Sequence, residues 1–263
     1  MHVVVTGASS GIGEALAREY LRRGASLTLV ARRRGKLEEL AKGHAERCHV
    51  VEADLVDYPH ACDWVDGAVA RLGPIDVLVN NAGVQIVART VDTSVEEAER
   101  MLQLNVLSPF RLTKRVLPDM IARGRGTIVD ISSMAAIAPT PGMFFYNASK
   151  AALAAASESL RGELRGTGVH VLTVYPGPVR TPMETAGRAA YESTLAMRVL
   201  TPVGHADVLA RKIANGVASR RARIIYPASY GFSRHFPNLT RFVLDHFTPP
   251  LKPPPAQLVE GKR

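Results

Sequence analysis

Short runs of β-branched and other apolar residues alternate along this chain with longer stretches whose apolar positions recur every three to four residues. Val3-Val4-Val5 opens the series, and similar runs at 26–31, 48–52, 75–80, 127–132, 169–175 and 223–226 continue it. The stretches between them, at 13–23, 36–45, 61–72, 95–122, 146–166 and 206–219, carry helical periodicity. In the first of these, Ala15, Leu16, Ala17 and Leu21 are the apolar positions. Seven strands alternating with at least six helices predict an α/β protein. Its fully apolar strands must be covered on both sides, which makes the sheet parallel and doubly wound, with helices on both faces. No linker rich in Pro, Gly or Ser divides the series, so a single domain is expected over residues 1–228.

Two stretches fall outside the alternation. Residues 176–201 read as long and irregular, rich in Pro, Met and Gly, and the part from 182 to 203 is expected to act as a substrate lid. Met183, Leu195, Met197, Val199 and Leu200 make it apolar, and Phe144, Phe145 and Met134 add apolar wall nearby. A lipophilic carbonyl or alcohol is therefore expected as substrate. The alternative is that these side chains only pack the segment onto the domain. Residues 229–263 form an amphipathic and proline-rich extension. Pro237 is placed to start a short helix with Leu239, Phe242, Val243 and Phe247 toward one side and Arg241 and Asp245 toward the other. Such a helix has three uses: docking on its own domain, meeting a second subunit or closing over a pocket, and touching a membrane surface. The thin basic support from Lys252, Lys262 and Arg263 makes the last the weakest.

Composition changes this picture little. The chain has 263 residues, 46% hydrophobic and 22% charged, which excludes disorder, a collagen-like repeat and a disulfide scaffold. The formal net charge is +9, yet the basic residues are scattered and no basic stripe carries interleaved aromatics, so nucleic acid is not expected as a partner. Cys48 and Cys62 have no second pair, so neither a metal site nor a disulfide is indicated. No apolar run reaches the roughly 18 residues of a spanning helix. The first strand begins almost at Met1, which leaves no leader, and a cytoplasmic location is expected.

Candidate chemistry lies at the strand ends. Thr6-Gly7-Ala8-Ser9-Ser10-Gly11-Ile12-Gly13 joins the first strand to the first helix. Its glycines permit a sharp turn and close backbone approach, and the helix start offers N–H groups to a pyrophosphate. The second strand ends in Ala31-Arg32-Arg33-Arg34. A site for the cofactor without a 2′-phosphate wants a carboxylate about 20 residues past the glycines. A guanidinium there suits a 2′-phosphate instead, so NADP(H) is expected over NAD(H). Tyr146 and Lys150 lie one turn apart on a helix, where an ammonium is expected to lower a phenol pKa. Ser133 ends the preceding strand, Asn80-Asn81-Ala82-Gly83 follows the fourth, and Asn105 sits in the long helix over the same edge. In a parallel sheet the carboxyl ends of the strands gather these residues at one crevice.

In four motifs, the glycine loop at 6–13, Asn80–Gly83, Ser133 with Tyr146 and Lys150, and Pro176-Gly177-Pro178-Val179-Arg180-Thr181, the chain resembles the compact short-chain dehydrogenase/reductase family, which has a Rossmann-type fold. The resemblance runs from Met1 to about Tyr226. It implies that Tyr146 acts as general acid and base, that Lys150 holds the nicotinamide ribose and lowers the Tyr146 pKa, and that Ser133 bonds the substrate oxygen. Asn105 would hold a water of a proton relay. Gly7, Ser9, Ser10, Gly11, Ile12, Gly13, Arg32, Arg33, Asp54, Leu55, Asn81, Ala82, Gly83, Pro176, Gly177, Val179 and Thr181 would bind the cofactor. The resemblance also implies a homo-dimer or homo-tetramer formed through the helices near 95–120 and 147–165. A non-catalytic dinucleotide sensor or scaffold on the same fold is the alternative.

Overall fold

The computed structural model describes residues 1–194 and 201–252. Seven strands form one sheet in the order β3–β2–β1–β4–β5–β6–β9, and every neighbouring pair is parallel. They are β1 His2–Thr6, β2 Ser26–Ala31, β3 Cys48–Glu52, β4 Val77–Asn80, β5 Gly126–Ile131, β6 Val169–Pro176 and β9 Arg223–Tyr226. The order reverses direction at β1 and β4, where the chain stops building outward on one side and begins on the other. A crevice opens there above the strand ends, as topology dictates for a doubly wound sheet.

Both faces of the sheet are buried, which is why the strands read as continuous apolar runs. On one face Val3, Val5, Leu27 and Leu29 pack with Leu16 and Tyr20 of α1 (Gly11–Arg22), Leu37 of α2 (Arg34–Ala41) and Leu209 and Ile213 of α8 (Ala206–Ala218). On the other, Val4, Leu78 and Ile128 pack with Val65 of α3 (Val65–Leu72), with Leu112, Val116 and Met120 of α5 (Ser108–Ala122), and with Leu160 of α6 (Phe144–Glu163).

Several boundaries differ from the expected ones. The helix expected over 95–122 is α4 (Val95–Leu102), a π turn at Gln103–Leu107, and then α5. Ser94 caps its start in a reciprocal capping box with Glu97. At the π turn, Pro109 has no N–H to return to the carbonyl of Asn105 four residues back, and the helix widens there. The stretch expected to be irregular after 176 contains a two-residue strand, β7 (Val179–Arg180), paired with β8 (Gly204–His205), and a helix, α7 (Pro182–Ala189). Thr181 starts that helix by accepting the Glu184 N–H on its side chain at 3.2 Å, with Pro182 at the first helical position. Leu195, Met197, Val199 and Leu200 of the expected lid lie outside the described residues, as does the tail from 253 onward. The extension folds into α9 (Gly231–His235) and α10 (Pro237–Phe247), the latter where Pro237 places it.

Candidate active site

A cavity of about 760 Å³ occupies the crevice above β1 and β4. Its floor is the glycine loop. A Cβ on Gly13 would stand 2.3 Å from the Gly7 carbonyl oxygen and 2.5 Å from Asn81 Nδ2, so only glycine lets α1 begin that close to the strand ends. Gly7 itself has a φ of +67°. Thr6 binds the two central strands together here. Its hydroxyl donates to the Val79 carbonyl at 3.1 Å and accepts the N–H groups of Asn81 and Ala82, both at 3.0 Å. Asn81 Nδ2 returns a bond to the Thr6 carbonyl at 2.8 Å. Ser10 flanks the start of α1 but makes no side-chain cap, which leaves that helix start to a ligand. This glycine-lined backbone cradle fits a dinucleotide pyrophosphate.

Arg32 and Arg33 line the cavity from the end of β2. Arg33 bonds the Ser9 hydroxyl through Nη2 at 2.9 Å and Nε at 3.2 Å. Arg32 points to Asp54 at 3.8 Å, and both side chains are exposed. Leu55 beside Asp54 is buried, and its carbonyl accepts the Ser108 hydroxyl.

Tyr146, Lys150 and Ser133 meet at the other end. Tyr146 and Lys150 lie in the first two turns of α6, and both are buried. Lys150 Nζ donates to the Ile131 carbonyl at 2.9 Å and stands 6.0 Å from the centre of the Tyr146 ring. Ser133 lines the same cavity as Tyr146 and its hydroxyl accepts the Ala135 N–H at 3.1 Å. The neighbouring Ser132 donates its hydroxyl to the Lys150 carbonyl at 2.8 Å, fixing α6 to the strand end. The expected lowering of the phenol is not the dominant effect in this structure. Burial pushes the Tyr146 phenol above its usual value, and the Ser133 side chain pulls it only part of the way back. Burial likewise pulls the Lys150 ammonium down to about 8, with buried Asp130 working against it.

Asn105 sits in the π turn, fully buried. Its amide nitrogen donates to the Val84 carbonyl at 2.9 Å and to Ser149 Oγ at 3.0 Å, while its oxygen accepts the Val84 N–H at 2.9 Å. The amide therefore ties the segment after β4 to α6. Gly83 packs between Asn105 and Lys150, since a Cβ there would meet Asn105 Oδ1 at 3.0 Å and Lys150 Nζ at 3.4 Å. Ser9, Ser10, Gly11, Ile12, Ala82, Gly83, Pro176, Gly177, Val179 and Thr181 all line the one cavity. Thr181 lies against the glycine loop, 3.2 Å from where a Gly11 Cβ would stand. Asn105 and Gly13 stay outside the lining, supporting it from behind.

Sequence reasoning missed Asp130, which accepts from Asn80 Nδ2 at 2.8 Å and whose carboxyl is raised by burial. An acid within an apolar strand is the signal that was there to find. Of the uses left open for the helix from Pro237, closing over a pocket is the one its residues fit: Leu239, Val243, Leu244 and Phe247 line the cavity, with Phe232 of α9 beside them.

The model of the short chain dehydrogenase family matches residues 1–192. This chain belongs to that family. It is an NAD(P)-dependent oxidoreductase acting on CH–OH and carbonyl groups, with a nicotinamide dinucleotide as cofactor and a small molecule as substrate. It is 40% identical over 187 residues to the oxidoreductase UcpA of Salmonella typhimurium, covering 68% of this chain and 70% of that protein. The fold superposes on a short-chain dehydrogenase of Streptomyces avermitilis with a TM-score of 0.80 at 29% identity, over 93% of this chain and 96% of that one. A short-chain dehydrogenase of Sphingobium yanoikuyae, solved with NADPH, gives a TM-score of 0.77 at 32% identity, over 94% and 95%. Among the described residues no helix is long and apolar enough to cross a membrane.

Proposed function

We propose that this enzyme interconverts a lipophilic ketone or aldehyde with its alcohol using NADP(H), with Tyr146 as the acid and base. The observation that carries this reading is the cavity lined at one end by Arg32 and Arg33 and at the other by Ser133, Tyr146 and Lys150. When bound, the nicotinamide supplies or accepts the hydride. Ser133 holds the substrate oxygen and Tyr146 gives it the proton in the reducing direction. Lys150 bonds the nicotinamide ribose, and its charge favours the phenolate. Asn105 fixes the helix turn behind Lys150 and lies on the route by which the proton is replaced. The glycine loop, Asp54, Leu55 and the segment 81–83 hold the adenosine and pyrophosphate half, and Pro176, Gly177, Val179 and Thr181 the nicotinamide half.

The NADP(H) preference is supported by two guanidinium groups where the other cofactor calls for a carboxylate. The Sphingobium neighbour was solved with NADPH, in keeping with that choice. Residues 1–228 act as the catalytic domain, 182–203 as the substrate lid and 229–263 as a C-terminal extension, of which α9 and α10 add to the substrate wall. Exposed Val95, Leu102, Phe110 and Ile121 on α4 and α5 support assembly into a homo-oligomer through those helices. The cytoplasm is the proposed location. Fluorescence titration with NADPH and with NADH, side by side, tests the proposal: tighter binding of NADPH is expected, and binding of neither nucleotide refutes it.

A further inference from the structure

The cavity continues past Ser133 and Tyr146 into a gallery between α7 and α10. Leu239, Val243 and Phe247 stand at i, i+4 and i+8 on α10, a stripe roughly 12 Å long on one helix face. All three line the cavity, and Leu244 and Phe232 line it beside them. A stripe of this kind is ordinarily consumed by packing, but α10 has no buried residue. Leu239 is 48% and Phe247 51% exposed while facing the cavity.

The opposite wall is Met183 and Tyr191, with Val87 and Met143 at the side. The two charges in the gallery face each other, Arg188 Nε donating to Glu184 Oε1 at 2.6 Å. The chain after α10 is strapped to the end of α7. Lys252 N–H donates to the Ala190 carbonyl at 2.9 Å, Glu192 N–H to the Pro250 carbonyl at 3.0 Å, and Leu251 bridges Tyr191. Arg241 adds a bond to the Pro139 carbonyl at 3.1 Å. Thus α10 is tied to the segment before α6 and, through the chain that follows it, to the end of α7, with its apolar stripe lining the same cavity as Tyr146 and Ser133.

We infer that the gallery binds an extended hydrocarbon arm of the substrate, so that the physiological carbonyl compound is a long-chain, lipid-like aldehyde or ketone. The inference rests on Tyr146 and Ser133 as the reacting end. Its occupant follows from continuity with that end, from walls of Leu, Val, Phe and Met, and from charges that are already paired.

The experiment measures kcat/KM for straight-chain aldehydes from butanal to dodecanal with wild-type enzyme and saturating NADPH. Burial of a methylene is worth up to about four-fold, so a rise of two- to four-fold per added carbon is expected until the gallery is full. Val243→Phe keeps the stripe apolar but fills it, and the optimum moves to shorter chains. Val243→Asp lowers the ratio of dodecanal to butanal. A flat series in wild type, or an optimum that Val243→Phe leaves in place, overturns the inference. The n-alkanols from butanol to dodecanol give a readout free of turnover. Thermal stabilisation of the wild-type protein should rise with chain length, and in Val243→Phe it should stop rising at a shorter chain. If no aldehyde is turned over while the alkanols behave as expected, the gallery stands and the reading of Tyr146 falls. Equal stabilisation by all alkanols overturns the gallery itself.

Discussion

Arg33 reaches back across 24 residues of sequence to Ser9, its guanidinium donating to the hydroxyl at 2.9 and 3.2 Å and to the Ser9 carbonyl at 3.2 Å. The end of β2 is thereby joined to the glycine loop, and a positive charge is fixed beside that loop. Arg32 beside it is only loosely engaged, 3.8 Å from Asp54, and is free to turn toward a phosphate. Arg32→Ala should weaken NADPH about ten-fold or more, as loss of a charge-assisted bond implies. NADH, which has no 2′-phosphate, should change less than two-fold. Arg33→Ala should weaken both nucleotides, because the loop it steadies is common to them, and NADPH the more. Titration of each variant with both cofactors checks this, and equal losses for Arg32→Ala would remove the phosphate role.

Tyr146→Phe deletes the phenol hydroxyl and leaves the buried ring in place. Turnover should fall by at least about a hundred-fold, the lower end of what a positioned acid contributes. Nucleotide affinity should stay within about two-fold, since the ring still packs on Met101 and Ala135. Ser132→Ala should act differently: it breaks the 2.8 Å bond to the Lys150 carbonyl and so lowers the melting temperature. Comparable turnover in Tyr146→Phe would mean that another group moves the proton.

The sheet was legible because seven apolar runs, each too short for a buried helix and spaced by helical periods, admit few other arrangements. The glycine loop was legible because only close approach explains three glycines between a strand and a helix. Elsewhere the pattern was silent for identifiable reasons. The π turn at Asn105 depends on the missing N–H of Pro109, which reads by itself as an ordinary proline near a helix start. Helix α7 did carry a signature, Thr181-Pro182-Met183-Glu184, but its surroundings of Pro, Met and Gly hid it. The folding of α10 over the cavity is set by contacts between residues 241 and 139 and between 252 and 190, far apart in sequence. Periodicity gave that helix an apolar face without saying what the face would meet.

Gly13 is the position where the loop tolerates least. A methyl group there would overlap the Gly7 carbonyl and the Asn81 amide at 2.3 and 2.5 Å, and neither neighbour can withdraw, because Asn81 is held by Thr6. Gly13→Ala should therefore displace α1 from the strand ends and cost several-fold more in nucleotide affinity than Gly35→Ala. The latter adds a methyl group where nothing lies within 4 Å, and an added Ala in a helix stabilises by about 0.5–1 kcal/mol. Melting temperatures of the two variants, with and without NADPH, separate the effects. If Gly13→Ala binds like wild type, the cradle is looser than its geometry implies.

Lys150 links the site to pH. Its ammonium is buried against the Ile131 carbonyl, and burial holds its pKa at about 8, while Asp130 supplies the opposing charge. An unfolded lysine keeps its proton to about 10.4. Between these values the unfolded chain binds more protons than the folded one, so the contribution of Lys150 to stability rises with pH over that window. Lys150→Met should remove this rise, seen in urea unfolding at pH 7.5, 9 and 10. Under the role proposed for Lys150, in which its charged form would bond the ribose, cofactor binding has the opposite sign: NADPH affinity should weaken as pH climbs through about 8. Asp130→Asn removes the countercharge while keeping the shape, and should move that weakening to lower pH. An unchanged midpoint in Asp130→Asn would mean that the acid on β5 serves only to bond Asn80, and that the Lys150 charge is set by burial alone.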